Sequence, residues 1–327
     1  MDSRGRVKAA LEGKALDRPP VGAWGHTYRE EWSPEDLARV TVDRARRLGW
    51  DFVKFQPRAT FFAEAFGNRY RPSGHRLRAP VLDREAVPDL DDWKRLRLVD
   101  RRVLDEQARA LALVVKELGE VPVLQTVFSA VTVGSYLVGR DRRRLIRELR
   151  QHPDVVLPAL EKVQEALVDF ARRSVEAGAA GVFYAISGFA TPDAMPVQVY
   201  DELVFPLDLR FCEALPAGAW FNVVHLCGSR VNMDVARRLP VQAVSYSIHN
   251  AGNPSLSEAR GLTGKAVMGG LEQRGALVAG PADAIERQVR EAVAETGGRG
   301  LLLAPGCSVP PRAREANLAV AARAAAA

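Results

Sequence analysis

A chain of 327 residues with 47% hydrophobic content can bury a full core, a size that a single α/β barrel commonly reaches. No apolar run approaches the roughly 20 residues of a membrane span and no signal-peptide core follows Met1 to Arg6, so a soluble, cytoplasmic protein without membrane attachment is expected. The net charge of +6 is carried mainly by Arg, but its densest cluster, Arg140 to Arg147, reads as a solvated helix face with no nucleic-acid module beside it, which argues against nucleic acid as a partner.

The predicted elements alternate. After a first helix around Val7 to Leu11, Pro19-Pro20 leads into a short strand, Val21 to Trp24. Ser33-Pro34-Glu35-Asp36 starts a helix that Gly49 closes: the Ser caps, the Pro fits the first turn, and the acids suit its positive end. Asp51 to Phe55 is a second strand, followed by an irregular stretch holding Pro72, Gly74, Pro80 and Pro88. A helix over 101–118 precedes the third strand, Val121 to Val127. The Arg-rich segment and a long amphipathic helix from Pro153 to Gly178 lead to the fourth, Gly181 to Ala185. A helix from Pro196 to Leu215 precedes the fifth, Trp220 to Val224. The sixth, seventh and eighth are Val241 to Tyr246, Ala266 to Gly270, and Gly300 to Leu303, with helices over 282–296 and from Glu315 onward, the latter expected to fray. Eight short apolar strands interleaved with helices predict one α/β domain over 1–327, a (β/α)8 TIM barrel with an N-terminal helical extension. A doubly wound sheet is the competitor, but no strand-to-helix Gly fingerprint supports it.

Within this frame His225-Leu226-Cys227 is the stretch with chemistry. Residues i and i+2 of a strand project to one side, so His225 and Cys227 are placed to grip one ion. Cys307 follows the eighth strand, and the C-terminal face of a barrel gathers the strand ends, so all three reach the same mouth. Three such ligands with a fourth position open is the pattern of catalytic zinc. The plain alternative is a buried thiol beside a satisfied histidine. Three cysteines do not make a disulfide framework, and Cys212, in a helix beside Phe211, reads as a core thiol.

Leu16-Asp17-Arg18-Pro19-Pro20-Val21, Ser135-Tyr136-Leu137, His225-Leu226-Cys227-Gly228, Gly269-Gly270-Leu271 and Ala304-Pro305-Gly306-Cys307-Ser308-Val309-Pro310-Pro311 together resemble the uroporphyrinogen decarboxylase superfamily across essentially the whole chain. The resemblance implies a (β/α)8 barrel with its site at the C-terminal mouth. Its decarboxylase branch holds a porphyrinogen with an N-terminal Arg-x-x-x-Arg motif and no metal, whereas the loop here, Gly25 to Glu31, has one Arg and two acids. Tyr136 lies where that branch has a substrate-contacting tyrosine, or else it is a packing residue. The metal motif is closer to the methylcobamide:coenzyme M methyltransferases, whose zinc ligands follow His-x-Cys…Cys, and His225, Cys227 and Cys307 match it.

That branch implies a Zn2+-dependent methyltransferase moving a methyl group from a methylated corrinoid protein to a small thiol. The chain carries no Asp-x-His-x-x-Gly signature of its own, so the corrinoid is expected on a partner protein. Glu272 after the seventh strand is a candidate to orient the site or act as an exchangeable fourth ligand, and is otherwise a solvated loop acid. His26 and His249 point toward the mouth, and Lys54 and Arg58 lie where an anionic tail is held. A metal-free decarboxylase-like lyase and a non-catalytic corrinoid- or thiol-binding barrel stay as alternatives.

Overall fold

Seven parallel strands curl into one sheet with helices outside it, the layer arrangement of a TIM-type barrel, in a computed structural model that describes residues 1–326. In chain order the strands are β1 (Val53–Phe55), β2 (Arg69–Arg71), β3 (Val81–Arg84), β4 (Val123–Phe128), β5 (Gly181–Ile186), β6 (Val223–Leu226), β7 (Ala243–Ser245), β8 (Ala266–Leu271) and β9 (Leu301–Pro305). The barrel sheet runs β1-β4-β5-β6-β7-β8-β9, while β2 and β3 form a separate antiparallel pair inside the stretch expected to be irregular.

The eighth stave is the segment at Val21, and it is shorter than the four-residue strand expected there. Gly22 N–H donates to the Leu303 carbonyl and Leu303 N–H to that of Pro20, while Asp51 N–H donates to the Val21 carbonyl on the other side. These bonds join the two sheet edges. The ladder stops there because Pro19 and Pro20 have no N–H to extend it.

The helices follow their local signals. The helix Pro34–Leu48 is capped by Ser33 Oγ, which accepts Asp36 N–H at 3.2 Å, and ends at Gly49 in the left-handed region at φ 62°. Pro153–Glu176 buries Val156, Leu160, Val163, Leu167 and Phe170 on one face. The single helix expected over 196–215 is two, Val197–Leu203 and Phe205–Glu213, because Pro206 fits a first helical turn and not an interior. Over the described residues the alanine-rich end is helix, Glu315–Ala326, with Leu318, Val320, Ala321 and Ala325 buried. Several further helices are not among those expected, Met233–Arg238 and Leu256–Thr263 the longest of them. The second of these starts with a capping box, Ser255 and Glu258, that the sequence displays openly. No helix is long and apolar enough to cross a membrane among the described residues.

Candidate metal centre

His225 lies in β6, paired in register with Ser245 of β7, and Cys227 follows immediately after the strand. Gly228 then turns the chain at φ 126°, a conformation that only glycine adopts freely. Cys307 is delivered by Gly306 at the end of β9. A Cβ at Gly306 would meet Ser247 Cα at 2.5 Å, so glycine lets the two strand ends close on each other. The Gly306 N–H donates to the Leu271 carbonyl, which fixes this approach.

The ligand atoms of His225, Cys227 and Cys307 lie within 4.8 Å of one another, with the two Sγ atoms 4.0 Å apart. Tetrahedral sharing of one zinc at 2.3 Å bonds places two sulfurs about 3.8 Å apart, so the spacing of the sulfur pair suits that ion. Among the described residues it is the one such cluster of His, Cys, Asp and Glu side chains. His225 Nδ1 is engaged by Ser245 Oγ at 3.2 Å, which leaves Nε2 as the nitrogen available to a metal. The Phe183 ring stacks on the imidazole at 5.1 Å and holds its plane. The cysteines are partly exposed and His225 is buried, so the site opens on its sulfur side.

The Cys227 thiol donates to Cys307 and is shielded from water, which pushes it up, while the same hydrogen bond, with help from His225, holds Cys307 well below the usual thiol range. Cys307 is thereby ready to ligate as a thiolate.

Lys54, expected to hold an anionic tail, is 5% exposed and packs over Phe183 at 4.9 Å and Trp24 at 5.8 Å. Burial pushes its ammonium down to about 7, opposed by the negative charges of Cys307 and Glu31. Its Nζ donates to Gln56 Oε1. Gln56 Nε2 lies 3.0 Å from His26 Nε2, and His26 Nδ1 lies 2.7 Å from Glu31 Oε1. Sequence reasoning missed Gln56 and Glu31. Gln56 is two residues from Lys54, the same spacing that singled out His225 and Cys227, so the signal was present.

The remaining candidates are placed as follows. His26 spends both ring nitrogens in that chain and stacks on Tyr28 at 4.9 Å, so it is not a ligand. Tyr136 packs against Phe128 beneath the Arg140 guanidinium, at the rim near Cys227. Arg58, expected near an anionic tail, is already engaged: Glu64 takes it through both carboxylate oxygens, the Glu31 carbonyl accepts Nη1 at 3.1 Å, and Trp32 covers it at 4.7 Å. Glu272 is turned back on its own loop, accepting the Ala276 N–H at 3.4 Å, outside the 4.8 Å cluster. His249 is exposed, with Nε2 3.3 Å from the Gly270 carbonyl oxygen. Cys212 is a buried core thiol, as its helix position suggested.

The uroporphyrinogen decarboxylase (URO-D) family model matches residues 2–327. The chain belongs to the URO-D family. A uroporphyrinogen decarboxylase from Syntrophotalea carbinolica is 27% identical over 280 residues, covering 82% of this chain and 76% of that protein. Among solved structures, a methyltransferase from Methanosarcina mazei superposes with TM-score 0.83 at 22% identity, over 99% of this chain and 98% of its own. A B12-independent methionine synthase from a Shewanella species follows with TM-score 0.59 and 15% identity, over 89% and 86% of the two chains. At these identities both likenesses speak for the barrel. Within the URO-D family it is the side chains at the mouth that have to say what this member does.

Proposed function

We propose that this URO-D family member is a zinc-dependent methyltransferase that moves a methyl group from a methylated corrinoid protein to the sulfur of a small thiol. One observation carries the reading: an imidazole and two thiol sulfurs, soft donors suited to zinc, converge within 4.8 Å at the barrel mouth. The Methanosarcina methyltransferase agrees with it in fold. Zinc held there supplies Lewis acidity that keeps an incoming thiol deprotonated at neutral pH.

The chain's own residues do the rest. Ser245 fixes the imidazole face of His225, while Cys227 and Cys307 contribute two negative charges that leave a zinc site roughly neutral before substrate arrives. Phe183 and Trp24 exclude water from the inner side, so the acceptor sulfur meets the donor from the open one. In the overall reaction a sulfur–carbon bond forms and the cobalt–carbon bond breaks, with its electron pair left on the corrinoid. The thiol proton passes to solvent. Arg140 and Arg142 beside Tyr136, and Arg142 and Arg274 beside Cys227, give this mouth a cationic rim.

The competing reading, metal-free decarboxylation of a carboxylated tetrapyrrole, is favoured by the Syntrophotalea relative. The loop Gly25 to Glu31 speaks against it. Its acid Glu31 is 1% exposed and carries an oxygen with no partner, a poor wall for a polyanionic substrate. Metal analysis of the purified protein separates the two. About one zinc per chain is expected, and Cys307→Ala is expected to lose both the zinc and methyl transfer from methylcobalamin to a thiol. Zinc-free protein that turns over uroporphyrinogen would replace this reading with the other.

A further inference from the structure

The buried ammonium of Lys54 has no anion of its own. Its hydrogen bond goes to the neutral amide of Gln56, and its other neighbours are the faces of Phe183 and Trp24. Lys54 Nζ donates to Gln56 Oε1, and that donation sets the direction of the whole chain. Gln56 must accept through Oε1 and donate through Nε2, His26 must accept at Nε2 and donate from Nδ1, and Glu31 accepts at the end. Thr27 N–H adds a second bond to the same Glu31 oxygen, at 2.8 Å. The one fixed negative charge on this path therefore stands two neutral side chains away from Lys54. A buried charge without a close partner is costly, and a structure that keeps one has a use for it.

On the other side Lys54 faces the metal centre. Phe183 carries the ammonium on its ring and the His225 imidazole at 5.1 Å, and Lys54 and Cys307 feel each other's charge. A zinc dication with two thiolates and an imidazole is neutral, and a third thiolate makes the set singly negative. We propose that Lys54 is the counter-charge of that anionic set, a positioning residue through which the centre selects a sulfur anion over neutral ligands. The inference rests on the methyltransferase reading, and it differs from a tail-binding role because the group recognised is the reacting sulfur itself.

Cobalt(II)-loaded full-length protein gives a visible spectrum that reports thiol capture independently of turnover. With 2-mercaptoethanol, which has no anionic tail, the pH midpoint of capture is expected to rise by about one unit in Lys54→Met, or about tenfold weaker capture at pH 7. Metal stoichiometry is expected to stay unchanged. Gln56→Glu keeps the lysine but pairs its charge, and is expected to shift the midpoint in the same direction by less. It carries the test if Lys54→Met does not fold. An unshifted midpoint in a folded variant overturns the assignment, as does weakening confined to mercaptoacetate, which would make Lys54 a tail-binding group. If the wild-type cobalt protein captures no thiol at all, the methyltransferase reading falls and takes this inference with it.

Discussion

The floor and the mouth of the barrel around β1 handle buried charge in opposite ways. Below the strand, Asp51 accepts from Arg6 at 2.6 Å, from Arg18 at 2.6 and 3.0 Å and from the Val21 N–H at 2.9 Å, while Asp17 clamps the far side of Arg6 at 2.8 and 2.7 Å. Both Asp51 carboxylate oxygens are used, and the network ties the N-terminal helix Ser3–Leu11 to the barrel floor. Within the strand, Lys54 keeps a charge without a carboxylate, and at the mouth above it the two cysteine sulfurs have only each other, His225 and the Ser308 N–H. A saturated network stabilises and an unsaturated one waits for a ligand, in line with the division of barrels into a stabilising bottom and a reactive top.

Three substitutions sharpen this contrast. Asp51→Ala leaves Arg18 without its carboxylate and Arg6 with Asp17 alone, and is expected to cost roughly 3 kcal/mol in urea unfolding with zinc content unchanged. If metal binding fell with stability, the two ends would not be independent.

Asp208, which belongs to neither end, sets a reference for a purely structural buried acid. It is fully buried between the Tyr184 and Tyr200 hydroxyls, and burial pushes its carboxyl up to about 7 against the opposing pull of those two hydrogen bonds. A folded value above the ordinary 3.8 means its contribution is full below that pH and is lost as pH rises through about 7. Asp208→Asn is therefore expected to gain on the wild type by roughly 2–4 kcal/mol between about pH 4.5 and pH 8. A difference that stays flat across that range would show that Asp208 does not titrate.

The smallest effect is expected at Ser245. Removing its contact to His225 in Ser245→Ala frees the imidazole ring, and zinc affinity is expected to fall about tenfold in a chelator competition while the melting temperature barely moves. A large loss of stability instead would make that hydroxyl part of the floor-type scaffold.

Much of this organisation is legible in one dimension. Short apolar strands, Gly and Pro stops and capping residues are local signals, so the barrel and the strand ends bearing His225, Cys227 and Cys307 can be read in order along the chain. The Ser255 box, overlooked in that reading, was equally local. Glu272 and Arg58 are different, because whether a loop acid faces the mouth or its own helix start, and whether an arginine is free or already held by Glu64, depends on partners that the residue's own neighbourhood does not reveal. The chain from Lys54 to Glu31 is of the same kind.

The alternation of elements, and with it the side chains that stand at each strand end, is written in periodicities of two and 3.6 residues along the chain. The closure of the barrel through Val21, the 4.0 Å between sulfurs 80 residues apart, and the burial of an unpaired lysine beside them belong to the tertiary structure alone. They arise only when β9 curls round to meet the start of the chain, because distance and dielectric are properties of the packed interior and of no segment taken separately.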